Sequence, residues 1–496
     1  MKCIELIILI SIFSITVFAQ NTEKLTLSKT IGLAQEKSPH AISAKHTLRS
    51  AYWNYRYYKA SYKPSLTLNT SPEFNRGIER VVQPDGTYNF VHVSELSNDI
   101  SLEISQNIPF TGGNLFIKSS LLRDDQIEGE GTTAYRSQPI SIGYQQNLIG
   151  YNEIKWNSKI EPLRWQEAKK QYNETMELVA SQASIYYFEL AAAQTDVEIA
   201  KSNLASADTL CTFAEGRYNI GTISENEMLQ LKLNKLREET NLLDANITLQ
   251  TVAENLRNFL DLPTNTSLRV DISKLPDSLI TSFFDNKPLE ISIEQALNYA
   301  LKNSPELDKY YRNQLESRQN LAYCKANSGL KANLYIQFGL SQTAAELSET
   351  YHSPTDMQYA SLTLSIPILD WGKGKGSKKV AQSNVDLSDI NAEQGIKSFE
   401  QNVIKMVQQF NLQSKRVEVA KQVDQTAEKR YEVARQLYLL GKNTILDLNS
   451  AISEKDSARR NYISSLSTYW SLYYGLRSIT GYDFANNCPI NWDIQI

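Results

Sequence analysis

The stretch Arg217-Tyr218-Asn219-Ile220-Gly221 occurs again, 220 residues later, as Leu437-Tyr438-Leu439-Leu440-Gly441. The same shift pairs Ile142 with Leu362, Leu148 with Ile368, Tyr151 with Trp371, Ala200 with Ala420, and Leu256-Arg257 with Leu476-Arg477. An internal repeat of this size sets the architecture before any short motif does. Each glycine turn follows a long apolar seam. In the first arm it reads Met176, Ala180, Ala183, Tyr187, Leu190, Ala193, Val197, Ala200, Leu204, Ala207, Cys211 and Ala214. Spacings alternate between three and four, as on a coiled-coil seam, and its alanines predict close helix approach. An uninterrupted helix of about 60 residues is about 90 Å long at 1.5 Å per residue, more than one compact domain needs. Such a hairpin suits a reaching or tube-forming protein.

Of the 496 residues, 21% are charged and the net charge is −4, which does not suggest a nucleic-acid partner. Residues 1–19 read as a secretory signal peptide, with Lys2, an apolar run from Ile7 to Phe18 and a cleavage box Val17-Phe18-Ala19. Cys211, Cys324 and Cys488 then remain, scattered and odd in number, so neither a disulfide framework nor a metal set is implied. After the signal no apolar run is long enough for a transmembrane helix. A membrane position therefore requires a β-barrel.

Leu25 to Pro39 returns as Ile291 to Pro305, now at a shift of 266; each reads as a strand-like lead and a short helix stopped before Ser-Pro. A second helix follows each, about His40 to Lys63 and Glu306 to Gly329. The two shifts differ by 46, so the first half carries an insertion between its repeat-derived strands. Alternating apolar and polar residues predict strands at 65–74, 99–108, 114–122 and 140–148 in the first half, and at 332–340 and 360–368 in the second. A tight turn lies at Pro109 to Asn114; the longer polar stretches Ser71 to Asn98 and Arg123 to Gln138 read as loops at the other end. The first repeat thus spans 20–264 with a helical hairpin at 155–260, and the second spans 291–481 with a hairpin at 373–479. Between them lies a linker or equatorial segment, 265–290, and after them a tail, 482–496. The fold class expected is an α+β membrane protein with barrel strands and long coiled-coil hairpins, internally duplicated.

On these features the chain resembles the TolC-like outer-membrane efflux proteins over nearly its whole mature length. The carriers are the duplicated strand-helix-turn-helix plan, the turns at Tyr218/Gly221 and Tyr438/Gly441, and the run Ser-Ile-Pro-Ile-Leu-Asp-Trp-Gly at Ser365 to Gly372. The resemblance implies a homotrimeric channel-tunnel in outer-membrane lipid, reaching through the periplasm to an adaptor (membrane fusion) protein and an inner-membrane transporter. It implies four strands per protomer, whereas the residues give six; a trimer then has twelve or eighteen. It also implies that Asp447 lines the periplasmic constriction, while positions like Tyr438 and Glu227 tether the closed state. The chain departs from some members by having Asn443 in place of a tethering arginine and Ser450 in place of a further acid.

Candidate residues divide by their simplest explanation. Ser224 and Thr444 read as helix caps, with Glu227 and Asp447 reaching back to them. Threefold symmetry would also arrange these acids as rings that favour cations. Tyr151 and Trp371 read as membrane-interface aromatics, or as packing under the barrel. The run Trp371 to Lys379 is Gly/Lys-rich but lacks phosphate-loop spacing, so it reads as a strand-to-helix turn at the periplasmic rim. His40, His46, His92 and His352 do not cluster, and no catalytic, cofactor or metal arrangement is legible. The function expected is a passive exit duct for small molecules such as drugs and toxic compounds. The alternatives are a duct for type I protein secretion or, in another class, a secreted helical adhesin or scaffold without a pore.

Overall fold

The computed structural model describes residues 22–127, 131–264, 266–272, 275, 289–440 and 442–492. The signal segment 1–19, most of the linker 265–290, Gly441 and residues 493–496 lie outside the described residues. The chain forms two compact units.

One unit, Arg49–Glu167 with Glu306–Ile396, holds an antiparallel six-stranded sheet. Its strands are β2 (Ser65–Val82), β3 (Tyr88–Asn107), β4 (Asn114–Gln126), β5 (Thr133–Ile149), β7 (Lys331–Ala344) and β8 (Thr355–Ser365), in the order β2-β3-β4-β5-β7-β8. Residues opposite one another across a sheet share a face. One row therefore reads Leu66, Ile104, Ile117, Ile142 and Phe338, and all five are half-buried or exposed. The next row, on the other face, reads Thr67, Glu103, Lys118, Ser141 and Gly339. These rows separate apolar from polar residues, with the aromatic Phe116 and Tyr335 set into the polar face. Phe116 lies across Gly143, where a Cβ would collide with its ring, and the Phe116 and Tyr335 rings lie 5.7 Å apart.

Most strands are longer than the alternation predicts. The stretch Ser71 to Asn98, expected as a loop, is a paired hairpin closed at residues 83–87, where Gly86 takes φ +85. Likewise β4 and β5 consume most of Arg123 to Gln138. Alternation marks a strand only where its two faces meet different surroundings; where both meet the same one the pattern fades while the backbone ladder persists. Conversely, β8 starts earlier than expected and ends at Ser365, because Pro367 has no N–H to continue a ladder.

The other unit, Met1–Leu48, Ala168–Pro305 and Lys397–Ile496, is mainly helical. The hairpin arms are α3 (Glu153–Asn219) with α4 (Glu225–Phe259), and α7 (Lys373–Leu439) with α8 (Ile445–Thr480). The first arms, α3 and α7, are 67 residues each, and both ends obey the 220-residue shift. Of the twelve seam residues predicted in the first arm, all but Leu204 are buried. The short helices α1 (Leu27–Lys37) and α5 (Ile293–Asn303) precede α2 (Pro39–Ala60) and α6 (Pro305–Asn327).

The two leads differ. The first is a strand, β1 (Thr22–Leu25), paired in parallel with β6 (Ser267–Val270), which lies inside the stretch expected to be a linker. At the second, Ile291 forms no strand, because the Asn411 side-chain amide donates to its carbonyl and accepts from its N–H, both at 3.0 Å. The tail from Tyr482 is not featureless. Asp483 joins an ion network in which Arg477 pairs with Glu177 at 2.7 Å and with Asp483 at 2.7 Å, while Tyr473 donates to Asp483 at 2.7 Å. Glu177 and Asp483 are buried.

Candidate functional site

The hairpin tips meet in one cluster. Leu210, Ala214 and Leu231 from the first hairpin pack with Tyr431, Ala434, Leu448 and Ala451 from the second, and Ile223, Tyr438 and Ile445 lean on them. In the first turn Gly221 takes φ +75 with open space around it, so backbone geometry, not crowding, demands glycine. Thr222 donates its N–H and hydroxyl to the Arg217 carbonyl, each at 2.9 Å, closing the helix end. The second turn closes through Lys442 N–H donating to the Leu437 carbonyl at 2.9 Å. Its Gly441 lies outside the described residues.

The two acids behave differently. At Thr444 the capping box is complete: the Asp447 N–H donates to the Thr444 hydroxyl at 3.2 Å, and the Thr444 N–H and hydroxyl donate to the Asp447 carboxylate at 3.2 and 2.6 Å. These bonds from Thr444, side chain first, hold the Asp447 carboxyl below its usual range, with Arg430 adding attraction. At Ser224 only half the box forms. The Glu227 N–H donates to the Ser224 hydroxyl at 3.3 Å, and the Glu227 carboxylate does not return to the cap. The expectation of two equivalent boxes is thus corrected. Glu227 instead lines a cavity of about 290 Å³ with Phe213, Arg217 and Tyr438. Burial, then the Glu227 charge, pushes the Tyr438 phenol up, with Arg217 opposing. Tyr218, its repeat partner, is exposed.

Charge chemistry that no motif announced lies further along the same helices. Lys455 and Asp456 are buried; Asn203 donates to Asp456 at 2.7 Å, and Lys455 sits over the Tyr431 ring at 4.2 Å. Arg459 pairs with Asp424 at 3.0 Å and Arg460 with Asp196 at 2.6 Å. Ser450 donates to Glu454 at 3.1 Å, and Glu454 pairs with Arg430. The only sequence cue was the charge placed inside an otherwise apolar seam.

Of the two expected interface aromatics, Trp371 is exposed, whereas Tyr151 is packed. The Tyr151 hydroxyl accepts from Gln319 at 2.7 Å, and its ring meets Tyr323 edge-on at 5.3 Å. Among the described residues no helix is long and apolar enough to cross a membrane.

An amphipathic antiparallel sheet and two long helical hairpins on one chain define the class of outer-membrane channel subunits that extend into the periplasm. Residues 296–481, most of the second repeat, match the model of the outer membrane efflux protein family. The fold is that of solved membrane proteins at low identity. A membrane protein from Pseudomonas aeruginosa is 12% identical, covering 97% of this chain and 94% of that one with a TM-score of 0.65. The outer membrane protein VceC from Vibrio cholerae is 15% identical, covering 92% and 96% with a TM-score of 0.63. The CmeC outer membrane channel of Campylobacter jejuni is 12% identical, covering 97% and 92% with a TM-score of 0.62. No curated protein matches the chain by sequence. The family match and the shared fold together indicate an outer-membrane efflux channel, placed in the outer membrane and reaching into the periplasm.

Proposed function

We propose that three copies of this chain close one barrel of eighteen strands and one helical tunnel, forming the exit duct of a tripartite efflux system. The observation that carries the reading is the sheet itself. Among the described residues, β2 and β8 each pair on one side only, and the apolar face is uncovered. A bilayer does not tolerate open edges, and cyclic closure of identical copies removes them. The tips, with Tyr218, Gly221, Glu227, Tyr438, Gly441 and Asp447, form the periplasmic end, where an adaptor protein docks and an inner-membrane pump delivers small molecules. Substrate choice rests with the pump, because a wide water-filled tube selects little. The test is conductance in planar bilayers. Purified protein should give stepwise, cation-favouring channels; protein that leaves the bilayer silent would instead be a scaffold.

A further inference from the structure

We infer that the periplasmic rim of the sheet is a docking ring for anionic phospholipid headgroups in the inner leaflet of the outer membrane. The inference rests on the reading of the sheet as the membrane-spanning part. The register gathers the strand-to-helix junctions at one end: Ser65 lies beside Ser105, Asn107 beside Asn114, Ile149 beside Ala332 and Lys331 beside Ser365. The segments at that end, residues 53–65, 105–116, 149–160, 323–332 and 364–380, carry 11 Lys and Arg against 2 acids, in a chain whose net charge is −4. One of those acids, Asp370, is engaged locally: its carboxylate accepts from the Gly372 N–H at 2.9 Å and the Gly374 N–H at 2.8 Å, at the start of α7.

The opposite end has the opposite sign. Described side chains within 76–99, 123–136 and 344–356 number 4 basic against 8 acidic. One sheet is therefore positive at its helical end and negative at its far end. A merely solvated rim has no reason to be one-signed.

The densest part follows β8, where Lys373, Lys375, Lys378 and Lys379 occupy the first two turns of α7. Four cations at a helix N-terminus oppose the helix dipole, so helix stability does not account for them. Immediately before them, Ile368 is 95% exposed and Trp371 90% exposed. A large apolar and aromatic surface abutting lysines matches the acyl-to-headgroup boundary, where Trp sits at headgroup level and lysine stems lie along apolar surface with the ammonium outward. Phosphatidylglycerol-type headgroups supply the complementary charge, and each lysine near such a surface favours it about fivefold. The Gly/Lys run, which has no phosphate-loop spacing, thus acquires a phosphate ligand of another kind.

The test uses the full-length protein reconstituted in vesicles of phosphatidylcholine containing either brominated phosphatidylglycerol or brominated phosphatidylcholine. Tryptophan quenching reports which lipid sits at the rim. The expected result is preferential quenching by brominated phosphatidylglycerol, several-fold in relative affinity and weakened by molar salt. The fourfold variant K373Q/K375Q/K378Q/K379Q should bring the ratio close to one. A variant neutralising lysines elsewhere, K201Q/K232Q/K405Q/K429Q, should leave it unchanged, and Trp371→Phe should remove a large share of the quenching. Equal quenching by both lipids in protein that conducts overturns the inference, as does a preference that survives the four substitutions. Conducting protein whose Trp371 neither lipid quenches overturns it too, because a neighbouring copy then covers the rim. Should the fourfold variant fail to insert, the salt dependence of the native protein decides. Protein that neither conducts nor is quenched by either lipid refutes the membrane-spanning reading along with it.

Discussion

At the hairpin tips, two acids in equivalent positions have different partners. Asp447 is bound into its cap by three hydrogen bonds, whereas Glu227 leaves its cap for the cavity beneath Tyr438. Thr444→Ala should therefore cost about 1 kcal/mol, and Ser224→Ala, which removes a single cap bond, visibly less. Thermal melts of the assembled protein check this; equal losses would contradict the unequal caps. The pH dependence has a definite sign. The Asp447 carboxyl is lowered in the fold, so its contribution is complete above the unfolded value of 3.8 and is lost as pH falls through the lower folded value. The melting difference between native protein and Thr444→Ala should thus shrink in strong acid. For conduction the contrast reverses. Glu227→Gln should lower cation selectivity more than Asp447→Asn, because the Glu227 carboxylate is not engaged by its cap. Reversal potentials in a salt gradient measure it, and no change in either variant ends the acidic-ring reading of the tip. Away from the tip, Arg477 is, among the described residues, the single cation paired with buried Glu177 and Asp483. Arg477→Ala leaves both carboxylates unpaired and should cost about 3–5 kcal/mol by denaturant unfolding; a loss below about 1 kcal/mol would show that solvent reaches the pair.

Among the elements, the sheet yields the clearest sidedness test. The β2–β3 turn should face the exterior and the β3–β4 turn the periplasm. Cysteines are best placed at Pro84 and Phe110, which are exposed and avoid the positive-φ glycines Gly86 and Gly112 nearby. With the native cysteines replaced by serine, Pro84→Cys should label in intact cells with an impermeant thiol reagent, and Phe110→Cys only after permeabilisation. Reversed labelling would invert the sheet and move its basic rim outside. The same elements show what a sequence reveals. The helical arms are legible because a 220-residue shift without gaps forces two equal hairpins, and because alanines at three-four spacing have one use. The half of each strand with one apolar face is legible from alternation at Leu66, Leu68, Ile100, Leu102 and Ile104. The other halves are not, since Ser71 to Asn98 obeys no clear period although the backbone pairs throughout. The strand β6 is too short to show a period, although Leu268 and Val270 flanking an outward Arg269 hint at it. Asn411 clasping Ile291 joins residues 120 apart and leaves no local trace. At the tip the caps were readable from Ser224 and Thr444, but the divergence of Glu227 from Asp447 depends on Arg217 and Tyr438 across a cavity.

At the scale of the whole molecule, one copy of the chain leaves its sheet open: among the described residues the six strands have two unpaired edges and an exposed apolar face. The proposed closure by three identical copies would account for the edges and the outward apolar band with a single operation. Mass measured by light scattering with the detergent contribution subtracted tests this most directly. For full-length protein in mild detergent, the account predicts the mass of three chains of at most 56.3 kDa each. A stable monomer under conditions where the protein still conducts would contradict it.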